Sequence, residues 1–268
     1  MEKHHTVTLL GTGNAQATHC YNTCFTLQSK SGSILLVDAG GGNGILSQLE
    51  KAGIARESIE DIFVTHAHTD HLFGVIWMMR LALQRKNHLR IHSHKKVLAL
   101  LTYICQQTMP AKTIAGIGSM VEMHEFHDGD TFNVGDIELQ CFDIHSSKEP
   151  QFGFMATLDN GLRLTCLGDE PYCPQNERYA RSADWLMSEA FCLYEDRDRF
   201  HPYEKNHSTA LDAAQLAEDL QVGHLILYHT EDKTLATRKE RYTAEAQSAF
   251  SGQVYVPNDL ECIDLEND

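Results

Sequence analysis

The amino-acid sequence predicts an α/β protein built as a four-layer αββα sandwich, with two mixed sheets face to face and helices on both outer sides. Three observations carry this expectation. Residues 6–107 open with strand patterns and pass into strand-helix alternation, residues from about 120 to 169 read as successive strands, and alternation returns after them. No linker, low-complexity segment or short-period repeat divides the chain, so residues 1–268 are expected to form a single domain.

The elements follow in order. "TVTLLGTG" (6–13), "NTCFTLQ" (22–28) and "SILLVDAG" (33–40) are apolar and β-branched, bounded by Gly, Asn and Ser, as strands are. "NGILSQLEKAGI" (43–54) has helical spacing at Ile45, Leu46, Leu49 and Ala52. "DIFVT" is a short buried strand, and "LFGVIWMMRLALQR" (72–85) is a strongly apolar helix whose stripe Val75, Ile76, Met79 and Leu83 belongs to the core. "LRIHS" and "KKVLALLTYICQQ" add a strand and a helix. From about 120 come the strands "MVEMHEF", "IELQCFDI", "FGFMATL" and "LRLTCLGD", the last two joined by the hairpin signal "DNG" (159–161). "ADWLMSEAF", the helix "STALDAAQLAEDL", the strand "HLILYHT" and a polar helix around 237–250 complete the pattern.

Composition excludes several classes. With 42% hydrophobic and 22% charged residues the chain is ordinarily globular, and it has no stretch near the roughly 20 apolar residues of a membrane helix. The start "MEKHHTVTLLGTG" lacks a secretory core and cleavage site, so a cytoplasmic location is expected. Eight scattered cysteines, with only Cys20 and Cys24 close together, read as reduced thiols. A net charge of −15 disfavours RNA, because nonspecific affinity for nucleic acid comes from Lys and Arg. The mixed-sign stretch "YEDRDRFHPYEK" (194–205) reads as a solvated loop. "LLGTGNAQA" is no dinucleotide-binding turn, since Gln16 stands at the third glycine position and no periodic helix follows.

The chemistry concentrates in "FVTHAHTDHLFGVIWMMR" (63–80), where His66, His68, Asp70 and His71 fall at the end of an apolar strand. Buried imidazoles and carboxylates without partners lose hydration uncompensated, so the cluster needs something to bind. His66 and His68, two apart in extended chain, point the same way and can grip one ion; Asp70 and His71 leave towards a second. Nitrogen and carboxylate donors without thiolate suit Zn²⁺, Mn²⁺ or Fe, with Zn²⁺ favoured by the nitrogen-rich set. Three later strands end in a residue able to ligate: His145 after "LQCFDI", Asp169 after "LTCLG" and His229 after "LILY".

"THAHTDH" with His145, Asp169 and His229 resembles the metallo-β-lactamase superfamily, over nearly the whole chain from "LLGTG" through "LVDAG" to "LYHT". The resemblance implies an αββα sandwich with two divalent metal ions between the sheets. It implies that His66, His68 and His145 hold one ion, that Asp70, His71 and His229 hold the other, and that Asp169 bridges both. Asp38 in "LLVDAG" resembles the family's aspartate beside the site, although it also reads as a plain strand-ending residue. "SEAF" (188–191) and "NHSTALDAAQLA" (206–217) resemble ribonuclease Z, in which a His-Glu-Ala-Thr segment pairs with His-Ser-Thr at a helix start. Ser208 or Thr209 would cap that helix, with Asp212 completing a capping box.

This branch implies hydrolysis of a phosphodiester, with Asp70 accepting the proton of the attacking water, His207 serving the leaving oxygen and Glu189 holding the His207 ring. Ser188 departs from the branch's histidine, and only 23 residues separate His145 from Asp169, too few for a long tRNA-gripping arm. The expected activity is therefore that of a metal-dependent phosphodiesterase on a small phosphodiester or other ester. The alternatives are a tRNA 3′-end endonuclease, or a hydrolase of cyclic nucleotides, sulfate esters or lactones. A non-enzymatic binding protein is disfavoured by the complete ligand set, and a homodimer stays open as the assembly.

Overall fold

The computed structural model describes residues 4–266. β1 (Thr6–Gly11), β2 (Cys24–Gln28) and β3 (Ile34–Val37) form an antiparallel meander. α1 (Gly44–Lys51), β4 (Asp61–Phe63), α2 (Thr69–Arg85), β5 (Leu89–Ser93), α3 (Lys95–Thr108), the single turn α4 (Ala111–Ile114) and β6 (Val121–Glu125) follow, with β3 to β6 parallel. The second half begins with the antiparallel run β7 (Thr131–Val134), β8 (Ile137–Asp143), β9 (Phe152–Thr157) and β10 (Arg163–Cys166). It continues through α5 (Glu177–Ala180), β11 (Trp185–Glu189), α6 (Arg197–Phe200), α7 (Ala210–Asp219), β12 (His224–Tyr228), α8 (Leu235–Gln247), β13 (Gln253–Tyr255) and β14 (Cys262–Asp264).

Two seven-stranded sheets result, in the orders β14-β1-β2-β3-β4-β5-β6 and β13-β12-β11-β10-β9-β8-β7. Each is antiparallel at one end and parallel at the other, which is the mixed sandwich the sequence predicts. Three apolar interfaces make the four layers. Between the sheets, Leu9, Phe25, Leu35 and Phe63 meet Leu139, Phe154, Leu164 and Met187. Outside the first sheet, Leu36 and Ile62 pack with Ile45, Leu72, Val75 and Leu101 of the helices. Outside the second, Leu186 and Leu225 pack with Ala210, Ala214 and Tyr242. Such double coverage explains why the parallel strands read as continuous apolar runs.

Some boundaries differ from expectation. α2 begins at Thr69 because His68 adopts an extended N-cap conformation, so Asp70 and His71 lie in its first turn, where a carboxylate suits the helix dipole. The edge strands β7, β13 and β14 were not anticipated. Each has three or four residues, and β14 returns from the end of the chain to pair with β1, a contact no local pattern announces. No helix among the described residues is long and apolar enough to cross a membrane.

Candidate metal centre

The parallel strands of both sheets point their carboxyl ends at one edge, where ligands commonly bind in open α/β sheets. Asp38 follows β3, the motif loop follows β4, Asp169 follows β10 and His229 follows β12. Asp38 and His229 both take left-handed backbone, at φ +53 and +56, uncommon for non-glycine residues and concentrated at functional sites. These turns are held by close packing. Gly74 on α2 meets the strand-end loop so tightly that a Cβ there would lie 1.8 Å from Ala39 O. Ala39 N donates to His71 O at 3.0 Å and Gly74 N to Gly40 O at 2.9 Å, which registers α2 against Asp38.

Asp38 serves both histidines of the cluster's floor. Its Oδ2 accepts from Thr65 Oγ1 and contacts His71 Nδ1, each at 2.7 Å, while Thr65 Oγ1 lies 2.8 Å from His66 Nδ1. A proton is thereby set on Nδ1 of each ring, leaving Nε2 of His66 and His71 as lone-pair donors, as the outer partners of metal-bound histidines do.

The donors converge. Asp169 Oδ2 lies 3.5 Å from His66 Nε2, 3.4 Å from His71 Nε2 and 3.6 Å from His229 Nε2. Asp70 Oδ2 lies 3.3 Å from His71 Nε2 and 3.8 Å from His229 Nε2. A tetrahedral ion with bonds of about 2.0–2.1 Å keeps its ligands about 3.3–3.4 Å apart, so this spacing fits zinc. Nε2 of His71 and of His229 are buried with no hydrogen-bond partner, orphaned donors of the kind a metal satisfies. The charges agree. Burial raises the Asp70 and Asp169 carboxyls, but the surrounding histidines outweigh it and hold both far below the usual carboxylate range. Burial opposes charge on His71, yet Asp70 and Asp38 push its affinity for a proton well up. Burial keeps His66 neutral. Three buried carboxylates, Asp38, Asp70 and Asp169, stand among these imidazoles and form a site that attracts positive charge.

Of the residues singled out in the sequence, the structure unites His66, His71 and Asp169 in one potential metal-binding group and Asp70, His71 and His229 in another. His68 Nδ1 lies 2.8 Å from His66 Nε2, and these two form a further group with Glu149. His145 is not brought to the cluster. It is exposed, on left-handed backbone at φ +60, with its N–H donating to Asp143 Oδ1 at 2.7 Å. From that turn the loop sends in Glu149, which accepts from Ala67 N at 2.7 Å, and Gln151, whose Nε2 donates to Asp169 Oδ1. The sequence reading missed both. Glu149 sits in the polar run "SSKEP", which carries no ligand spacing.

His207 and Glu189 lie beside the cluster and form a group with His229. Glu189 Oε1 accepts from Ser208 N and, at 2.7 Å, from Ser208 Oγ, which turns Oε2 to within 3.5 Å of His207 Nδ1. The His207 ring stacks on Phe191 at 4.9 Å. Of the two predicted caps for α7 it is Thr209 that acts, in a complete capping box with Asp212. A cavity of about 330 Å³ opens over His68, Asp70, Asp169, His207 and His229. All eight cysteines are free, and none joins the potential metal-binding groups among the described residues.

A two-sheet sandwich with this histidine and aspartate cluster at its strand ends defines a metallo-β-lactamase-fold protein of the ribonuclease Z-like kind. Within that class, the chain belongs to the family of the anti-Pycsar protein Apyc1, whose model matches residues 5–255. It is 25% identical over 306 residues to ribonuclease Z of Myxococcus xanthus, covering 92% of this chain and 95% of that one. Its fold matches the metallo-β-lactamase fold protein YhfI of Bacillus subtilis, with a TM-score of 0.77, 20% identity and coverage of 98% and 100%. Human tRNase Z, short form, matches with a TM-score of 0.74, 20% identity and the same coverage.

Proposed function

We propose that the protein is a metal-dependent phosphodiesterase that hydrolyses small phosphodiesters at a centre of two divalent ions, with zinc favoured by the nitrogen-rich donors. The observation that carries this reading is the single carboxylate oxygen of Asp169 within 3.4–3.6 Å of three histidine nitrogens, on the wall of a cavity that also receives His207. His66, His68 and Asp169 would hold one ion and Asp70, His71, His229 and Asp169 the other. The loop bearing His145 and Glu149 would supply the remaining donor of the first. Metal stoichiometry of His145→Ala and Glu149→Gln assigns that donor, because only loss of the true ligand lowers the bound metal.

Bound divalent ions supply charge against the phosphate oxygens and make water acidic enough to lose a proton near neutral pH. Asp70, held ionised by its histidine neighbours, would accept the proton of the attacking water. Glu189 Oε2, 3.5 Å from His207 Nδ1, is placed to steady the ring when Nδ1 carries a proton, so that a proton on the opposite nitrogen could pass to the leaving oxygen. Phe191, stacked on the ring, keeps water off one face of it.

Small substrates are favoured over tRNA by the segment between His145 and Asp169, a loop and the β9–β10 hairpin with no long arm, and by the charge of −15. The ribonuclease Z names of the relatives support tRNA 3′-end cleavage as the second reading. A panel of bis-p-nitrophenyl phosphate, cyclic nucleotides, a tRNA precursor and a lactone, run on metal-loaded protein, separates them. Diester turnover without tRNA cleavage is the expected result. Cleavage of the tRNA precursor at its 3′ end would transfer the assignment to the second reading.

A further inference from the structure

The stretch 194–205, a solvated loop by its charge pattern, folds into α6 flanked by single helical turns at Tyr194–Asp196 and Tyr203–Lys205. Two of its side chains, Phe200 and Lys205, line the cavity over the metal-binding cluster. Phe200 is half-buried. Arg199 lies 4.8 Å from its ring, and no other aromatic ring stacks on it among the described residues. Lys205 is tied to it, donating from Nζ to Phe200 O at 2.8 Å while lying 4.7 Å over the ring of Phe191. One of its three ammonium protons is thus used, and two remain for an anion.

The surroundings hold this pair in place. Buried Glu170, next to Asp169, accepts from Ser146 Oγ at 2.8 Å and from Asn206 Nδ2 at 2.6 Å, which locks the two loops bearing Lys148 and Lys205 together. Lys148, Lys205 and Lys233 line the cavity together with Asp70, Asp169, Glu231 and Asp232, and of the three lysines Lys148 lies 3.6 Å from Glu170 and Lys233 2.9 Å from Asp232. Lys205, held by a carbonyl and a ring, is therefore the cation this opening offers to an anionic group.

We propose that Phe200 and Lys205 form a substrate subsite in which Phe200 stacks a flat aromatic substituent of the phosphodiester and Lys205 pairs with its phosphate. The protein then selects diesters bearing an aromatic group over purely aliphatic ones. This rests on the phosphodiesterase reading above, and the two can fail separately.

Calorimetric titration of zinc-loaded protein with phenyl phosphate and with inorganic phosphate tests it without requiring turnover. The unaltered protein binds phenyl phosphate more tightly. Phe200→Ala weakens phenyl phosphate by about five- to tenfold, the scale of one aromatic contact, and leaves inorganic phosphate unchanged. Phe200→Tyr restores the preference, Phe200→Leu serves if the alanine variant fails to fold, and Lys205→Met weakens both ligands. Equal affinities in the unaltered protein, or equal losses for both anions in Phe200→Ala, overturn the subsite. Turnover of bis-p-nitrophenyl phosphate is followed in parallel. Turnover without a phenyl preference removes the subsite alone, whereas a phenyl preference without turnover removes the phosphodiesterase reading and leaves the subsite.

Discussion

Asp38 contacts two of the cluster's histidines through one oxygen, directly at His71 and through Thr65 at His66. Replacing that oxygen by an amide nitrogen sets a donor against donors. Asp38→Asn therefore weakens metal binding about 10- to 100-fold in competition with a chromophoric chelator, the usual cost of losing an outer partner. In the proposed mechanism His207 acts on the substrate side instead. His207→Ala lowers kcat by about 10²- to 10⁴-fold, the range of general acid catalysis, and leaves metal content intact by elemental analysis. Four of these groups were legible because they are local. His66, His68, Asp70 and His71 announce themselves within six residues, and chain geometry alone puts them at one strand end. Asp169 and His229 could be tied in only through resemblance, and Glu149 and Gln151 were invisible because each is a lone polar residue made relevant by a turn in a distant loop.

The apolar runs and helical stripes predicted the central strands and α1, α2, α3 and α7, because burial against a neighbouring layer leaves a strong periodic signal. Short edge strands are set by pairing with remote partners, which is why β13 and β14 escaped notice. α8 looked polar throughout, yet it buries Arg238 against Thr12, Thr230 and the Pro257 carbonyl, a long-range arrangement a hydrophobic pattern does not encode. Gly74 is the position where an element's packing and the site meet most closely. A methyl group there collides with the backbone of Ala39, so Gly74→Ala costs about 1–3 kcal/mol in urea unfolding and lowers metal affinity as α2 is pushed from Asp38. Unchanged stability together with unchanged metal affinity would mean that this contact does not register the helix.

The molecule is held by its three apolar interfaces, with a few buried ion pairs whose effect depends on pH. Burial alone raises the Asp61 carboxyl, but hydrogen bonds from Arg90 Nε at 2.7 Å and from His92 at 2.8 Å outweigh it and hold Asp61 below its ordinary value. Its stabilisation is therefore present above the unfolded value of about 3.9 and is lost as pH falls through the depressed one. The stability difference between the unaltered protein and Asp61→Asn, measured by urea unfolding, should be largest near pH 6 and shrink steadily below pH 4. A difference constant across that range would contradict the pairing. The metal-binding cluster is the other dependence, since it joins loops from both sheets around buried carboxylates. The most direct test is one preparation followed through chelation and reconstitution, with bound metal counted and hydrolysis of bis-p-nitrophenyl phosphate measured at each step. Two ions per chain, turnover lost on chelation and restored by zinc, is the predicted result. Two bound ions without diester hydrolysis, or full turnover after chelation, would contradict it.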